Sequence, residues 1–395
     1  MANALLTPNQ ITREALRVLH QKLNFIGAIN RQYDDSFAKD GAKIGSALRI
    51  RLPNQYTVRT GANLSAQDTT ENQVTLNVTT QKGVDTQFTS ADLTLSLDDF
   101  SQRIINPAMA VLAAAIEADA FAMALDVYNA VNNVGSAITF KNTLQARKIL
   151  NDNLAPMDGQ RSVILNTQDN VDLVDALKGL FQDSSEIKAQ YRDGVMGHTA
   201  GFEFSENTLL PSQTTGTALS ATTYTVNGAN QTGSAVTVAT GSTTFKKGDV
   251  VNLAGCNSVH PETKVSTGIL QQFVVTADYA GGGGNLAISP AIVTSGATQN
   301  VSGSPTNGGA VTKIGGASAI YKPSLAFHKD AFTFATADLV LPKGVDMASR
   351  AVMDGLSMRL VRQYDINFDR FPVRLDLLYG YQTIRPQLAA RILSN

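Results

Sequence analysis

The sequence predicts an α+β fold interrupted by an inserted all-β domain, and three observations carry that prediction. An alanine-rich stripe of helical period runs from Pro107 to Val131, strictly alternating runs lie early and late in the chain, and the composition changes abruptly between residues 212 and 320. At roughly 100–200 residues per domain, 395 residues leave room for more than one.

The chain opens on a helix signature. Thr7, Pro8 and Gln10 make a capping box with proline at the first helical position. Ile11, Ala15, Val18, Leu19, Leu23 and Ile26 then recur at helical spacing up to Gly27, with Arg13, Glu14, Arg17, Gln21 and Lys22 on the other face. Such a helix either packs on its own domain or docks as an arm on a neighbouring subunit or an assembly partner. From Leu48 the period becomes two: Leu48–Leu52, Val74–Val78 and Val84–Phe88 alternate as half-buried strands. Between the first two, Pro53 to Gln73 is polar with few anchoring hydrophobics, so this loop is expected to project. Loops this long are usually functional or disordered.

A second helical pattern begins at Ser96–Phe100, with a kink or restart at Pro107. Met109, Leu112, Ile116, Ala120, Met123, Val127 and Val131 then form one stripe, and the surrounding alanines cost little side-chain entropy. A helix over Pro107 to Val131 would be a rod of about 40 Å, well above the usual helix length. Residues Phe140 to Pro211 read as mixed α/β: helix over Thr143–Leu150, strand over Ser162–Leu165, helix over Asn170–Leu180, and a strand region from Gly194 to Phe204.

Between Ser212 and Ile320 the only charged residues are Lys246, Lys247, Asp249, Glu262, Lys264, Asp278 and Lys313. Tyr224–Val226, Ala235–Val238, Val250–Leu253, Gln272–Thr276, Leu286–Ile288 and Val311–Ile314 are short β-prone runs between turn signals, the spacing of a small barrel or sandwich. Gly281 to Gly284 reads as a flexible tip between two of them. Leu356–Leu360, Tyr364–Phe368 and Val373–Leu377 then alternate as strands, and Leu388–Leu393 closes the chain.

Few residues here suggest chemistry. His20, His198, His260 and His328 show no metal-ligand spacing, and a Cys256–His260 pair reads more simply as a core cysteine beside a loop histidine. No Gly-x-Ser-x-Gly elbow occurs, and no Gly-Lys-Ser/Thr follows the glycine run. The acidic pairs Asp34/Asp35, Asp98/Asp99 and Glu117/Asp119 read as helix N-terminal or surface charges. No catalytic residue, cofactor or metal site is expected. A net charge of −1 argues against a dedicated nucleic-acid binder. The first residues lack a secretory pattern, and the apolar run from Pro107 to Ile116 is far short of a membrane span, so a soluble protein made in a cytoplasm is expected. Charged residues make up 16%, against a usual ~25%, which suits a surface that neighbours cover.

The order of parts (arm, projecting hairpin, long helix, mixed domain, closing strands) resembles the layout of tailed-bacteriophage major capsid proteins. It is most similar to the coat proteins of the short-tailed Salmonella-type phages, which carry an inserted telokin-like barrel. Thr199–Phe202 with Leu209–Pro211 looks like the entry to that insert. Phe245–Asp249 with Leu253–Gly255, Phe273–Val275 and Ile288–Pro290 resemble its interior, and Leu378–Gly380 with Arg385–Pro386 resembles the C-terminal signature.

The resemblance implies a tailed-phage major capsid fold with a long spine helix, a projecting β-hairpin and an inserted β-barrel. The expected divisions are an N-terminal arm (1–45), an extended hairpin loop with flanking strands (46–90), a peripheral domain (91–135 and 350–395), an axial domain (136–211 and 321–349) and the barrel (212–320). It implies hexamers and pentamers closing an icosahedral virion shell around double-stranded DNA, with the DNA held only non-specifically and no membrane. Assembly is expected in the host bacterial cytoplasm, beside a portal and on a separate scaffolding protein, since no long N-terminal coiled coil suggests a fused one. Arg59, Asp68 and Glu71 in the hairpin are candidate inter-subunit contacts, and Arg13, Glu14 and Arg17 candidate scaffold contacts. Lys82 is the hairpin's nearest lysine and stands at its base, so Lys–Asn cross-linking is not carried over. The competing reading is another β-rich phage structural protein or a secreted adhesin-like protein.

Overall fold

The computed structural model describes residues 8–34, 47–59, 61–64, 66–68, 71–89, 104–177, 197–219 and 224–394. Thr7 of the expected capping box, the helical start at Ser96–Phe100, the Asp98/Asp99 pair, Asp35, residues 178–180 of the expected helix and Gly194–Met196 lie outside these residues.

In chain order the elements are α1 (Pro8–Lys22), α2 (Phe25–Ala28), β1 (Asn30–Asp34), β2 (Ala47–Arg51), β3 (Gln73–Asn77), β4 (Thr80–Thr89), α3 (Asn106–Phe121), β5 (Ala130–Asn132), α4 (Phe140–Asp152), β6 (Arg161–Leu165) and α5 (Thr167–Leu177). There follow β7 (His198–Thr199), β8 (Phe202–Glu206), β9 (Gln213–Thr214), β10 (Tyr224–Thr225), β11 (Gly233–Val238), β12 (Val250–Val259), β13 (Ser266–Val275), β14 (Gly284–Ile292) and β15 (Ala310–Lys313). The last are β16 (Ile320–Tyr321), β17 (Ser324–His328), β18 (Phe332–Ala337), β19 (Met347–Met353), β20 (Leu356–Arg362), β21 (Arg370–Thr383) and β22 (Ala389–Leu393). The chain divides into two compact units, one of residues 1–51, 73–120 and 332–384, the other of 52–72, 121–331 and 385–395.

In the first unit a sheet runs β1-β18-β21-β20-β19, and β4 pairs along β21 as well. β1 lies parallel to β18 and the other pairs are antiparallel. Glycine permits the closest approaches: a Cβ at Gly380 would stand 2.1 Å from the Asn77 carbonyl oxygen, and one at Gly83 would stand 2.5 Å from that of Leu375. Helix α1 buries Thr12, Ala15, Leu16, Val18 and Leu19 and lies on β19 and β20, where Thr12 and Ser349 share a hydroxyl hydrogen bond. Its apolar face is therefore used within its own unit, the first of the two alternatives for this helix.

Helix α3 buries Met109, Leu112, Ala113, Ile116 and Ala120. The acids read as surface charges are instead internal ties. Buried Glu117 accepts a hydrogen bond from the Phe25 backbone N–H at 2.7 Å. Asp119 accepts from the Tyr379 hydroxyl at 2.6 Å and pairs with Lys82 Nζ at 2.7 Å. The expected rod to Val131 is corrected: the α-helix spans 16 residues, about 24 Å, and tightens to a 3-10 turn over Ala122–Asp126 before Val127 turns extended. Val131 lies in β5, opposite Ile392 of β22. Its apolar period continues because β5 is packed in a core, so burial and not helix sets the spacing there. By length and composition alone Asn106–Asp126 could cross a membrane, contrary to the sequence estimate, but its buried stripe and the tied Glu117 and Asp119 are those of a core helix.

In the second unit a mixed sheet runs β5-β22-β17-β6-β8-β7. In the first turn of α5, buried Asp169 accepts from Ser324 Oγ at 2.5 Å and Ser394 Oγ at 2.6 Å, which ties the chain's end to β17. The six runs expected between 212 and 320 all fall in strands or at their ends, ordered β10-β15-β12-β13-β14-β11. A Val226–Val238 bridge returns β11 to the end of β10, which closes the ring. Tyr224, Val236, Phe245, Leu253, Phe273, Leu286 and Val311 fill it. Gln272 holds both backbone groups of Ala130, accepting at 2.7 Å and donating at 2.9 Å, and buried Arg391 donates to the Gly248 carbonyl at 2.9 Å. Ala130, Val250, Ile314, Tyr321 and Leu393 pack around that junction.

One expected strand is absent. Tyr364–Phe368 forms the turn between β20 and β21, because Asp365, Asn367 and Asp369 supply turn hydrogen bonds and a left-handed residue (Asp369, φ +47°) that override the alternation.

Replacing Gly380 with alanine should destabilise the first unit by about 1–3 kcal/mol, read as a lower urea midpoint; an unchanged midpoint would contradict the close approach. Burial pushes the Asp169 carboxyl above its ordinary value. Ionising it then costs more folded than unfolded, so its contribution weakens as pH rises from the unfolded value of about 4. Asp169→Asn should gain stability relative to the parent between about pH 4 and pH 7, and a relative loss would contradict the assignment.

Candidate functional site

Three exposed places among the described residues are shaped by polar contacts, and each is described by itself. The first is the loop 52–72 between β2 and β3. Leu52 N–H donates to the Asn72 carbonyl at 2.8 Å and closes its base. Farther out, Gln67 Oε1 accepts from Thr57 N–H at 2.9 Å and Thr57 Oγ1 at 3.0 Å, while Gln67 Nε2 donates to the Thr57 carbonyl at 2.5 Å. One side-chain amide thus does what a strand partner would. Every described residue from Pro53 to Asn72 is exposed. Arg59 reaches back to the Gly61 carbonyl, and Asp68 and Glu71 stand on the returning limb. Tyr56, Val58 and Leu64, which the sequence reading did not single out, are exposed too, Val58 at 95% and Leu64 at 89%. The legible signal was three large apolar side chains in a segment otherwise too polar to form a core.

The second place is the outer face of α1. Arg17 grips Glu14 in a two-pronged ion pair, at 2.9 and 2.6 Å, and donates to Gln21 at 3.1 Å. Its guanidinium holds the Glu14 carboxyl below the usual range. Arg13 lies exposed on the same side, so the three candidate scaffold contacts do form one row. The pair's value is in order, not stability, since exposed i,i+3 pairs contribute little.

The third place, missed in the sequence, is the β20–β21 turn. Asp365 pairs with Arg370 at 2.9 Å and accepts from Asn367 N–H at 3.1 Å, and the Tyr364 hydroxyl donates to Asp369 at 3.1 Å. The Arg370 guanidinium lies 4.4 Å from the Phe368 ring centre. Yet Ile366 is 80% exposed and Phe368 68%. An apolar knob held in one shape loses little freedom on docking.

Cys256 lies buried in the ring core, where burial pushes its thiol up to about 11, and His260 Nδ1 accepts backbone N–H groups of Glu262 and Thr263. Among the described residues no group of three or more His, Cys, Asp or Glu could hold a metal ion.

The sequence matches the family described as "P22 coat protein - gene protein 5" over residues 29–393. This chain belongs to the P22 coat protein family. As a coat protein of that family it is a major capsid protein, whose copies associate into the icosahedral shell of a phage virion. No curated protein sequence matches it. Among solved structures it is similar to one of Mycobacterium phage Che8, at 14% identity and TM-score 0.48, over 94% of this chain and 90% of that one. It is also similar to the capsid structure of cyanophage P-SCSP1u, at 10% identity and TM-score 0.46, over 93% and 89%. A third is the asymmetric unit of the bacteriophage PhiM1 mature capsid, at 10% and 0.46, over 94% and 87%. Family membership rests on the sequence match.

If the Thr57–Gln67 pairing fixes the coat protein's loop, Gln67→Ala should speed hydrogen exchange across 56–68 and leave the unfolding midpoint within about 0.5 kcal/mol of the parent. Unchanged exchange would show that the pairing does not hold the loop.

Proposed function

We propose that copies of this chain gather as hexamers and pentamers, and that the 52–72 loop is the contact by which each lies on its neighbour. The observation that carries this is a loop fastened at Thr57 and Gln67 that presents Tyr56, Val58 and Leu64 with no core of its own. Ordered apolar surface of this kind costs free energy until a partner covers it. Arg59, Asp68 and Glu71 supply the polar rim, which sets register more than affinity.

A separate scaffolding protein meets the row Arg13, Glu14 and Arg17, and a portal occupies one vertex. The shell encloses double-stranded DNA, and a chain of net charge −1 lines it without gripping it. Assembly takes place in the host bacterial cytoplasm. Residues 212–320 act as an inserted domain; their ring sits on the junction at Arg391 and Gln272 and adds its own core to a subunit that does no chemistry.

The test is the double variant Val58→Asp, Leu64→Asp, produced with the phage's other assembly proteins. Both side chains are exposed, so circular dichroism and the unfolding midpoint should match the parent, while electron microscopy shows free subunits in place of shells. Shells at parental yield would rule out the loop as the neighbour contact.

A further inference from the structure

Within the second unit, the six-stranded ring meets the mixed sheet at Arg391 of β22, a side chain with no exposure to solvent. Its Nη2 donates to the Gly248 carbonyl at 2.9 Å, in the turn just before β12. Its Nε and Nη1 are buried too, and among the described residues neither has a hydrogen-bond partner. Buried polar groups are ordinarily partnered, so two orphaned N–H groups on one cationic side chain point to an acceptor.

The neighbouring side chains do not supply it. Buried Asp249 lies within electrostatic reach of Arg391, but its carboxylate is turned to the ring's own backbone. It accepts the N–H groups of Gly216 and Lys246, each at 2.9 Å, and the Gln213 amide at 3.5 Å. Asp126 is also within reach, but it stands at the surface, 3.7 Å from Lys247 Nζ. Burial raises the Tyr321 phenol above its ordinary value, so that group carries no charge. Lys313 brings a second buried ammonium to the same Asp249 and donates to the Gly216 and Gly316 carbonyls at 2.7 and 2.8 Å. Two buried cations therefore share one buried carboxylate, and a guanidinium does not escape by losing its proton. A buried charge left uncompensated is costly to a fold.

We infer that a small monovalent inorganic anion, of the chloride class, binds beside Arg391 Nε and Nη1 and fastens the ring to β22. Charge selects an anion over water, since water would satisfy the N–H groups and leave the guanidinium uncompensated. Closure selects a single atom over a larger oxyanion: Arg391 and Asp249 are 0% exposed and Tyr321 is 2% exposed. The site lies within one unit and does not depend on the shell-forming role.

The experiment is thermal unfolding of the full chain while sodium sulfate is exchanged stepwise for sodium chloride at constant ionic strength. Sulfate strengthens burial in any protein, so the exchange alone lowers the midpoint. An anion bound only by the folded state raises it by mass action, and the parent's midpoint should climb a few degrees with each tenfold rise in chloride. Sodium bromide should act alike. Arg391→Gln keeps N–H donors, loses the charge and should follow the falling trend. A parent midpoint that falls on exchange, or a climb that Arg391→Gln retains, would overturn the inference. If that variant does not fold, bromide-soaked crystals of the parent decide: anomalous density beside Arg391 supports the site, and ordered density there without a bromide signal overturns it in favour of water.

Discussion

Strand β21 is the piece on which the first unit depends. Its residues 370–379 pair with β4 along one edge, while 373–376 and 378–383 pair with β20 and β18 along the other. A strand paired on both edges satisfies its backbone groups internally, and that is possible here only because Gly83 and Gly380 let neighbouring backbone come closer than any side chain would. The same strand anchors α3, since Tyr379 reaches Asp119 on it. A bidentate Arg359–Asp376 pair at 3.1 and 2.7 Å, with Asp376 buried, fixes the β20–β21 register.

This internal economy shapes the function. Helix α1 buries an apolar face on β19 and β20, α3 buries a stripe in its own unit, and the six-stranded ring is filled by its own side chains. The 52–72 loop and the β20–β21 turn stay exposed, and each is held in shape by polar contacts rather than by a core. A shell needs many repeated contacts, each weak enough to correct during assembly, and preformed tips suit that better than broad sticky faces would.

Much of the architecture was legible in the sequence because local and tertiary demands agree. The short runs between 212 and 320 are strands bounded by Gly, Asn and Thr, and the alternation at Leu48–Leu52 and Val74–Val78 is a hairpin whose inner residues Leu76 and Val78 are buried. Errors arose where one periodicity had two physical sources. The apolar spacing through Val127 and Val131 comes from a packed strand after the helix, and the Tyr364–Phe368 alternation comes from a turn that exposes Ile366 and Phe368. Glu117 and Asp119 could not be placed from sequence, because their partners Phe25, Lys82 and Tyr379 are distant in the chain. In the 52–72 loop the charges drew attention, while the fastening by Thr57 and Gln67 depends on a fold-back that composition does not encode.

The most direct measurement is electron microscopy, with sedimentation, of the full chain produced with its phage's assembly proteins. A coat protein of this kind should give closed shells of uniform diameter in which it is the major component. A product that stays monomeric in that company, though folded, would contradict the account.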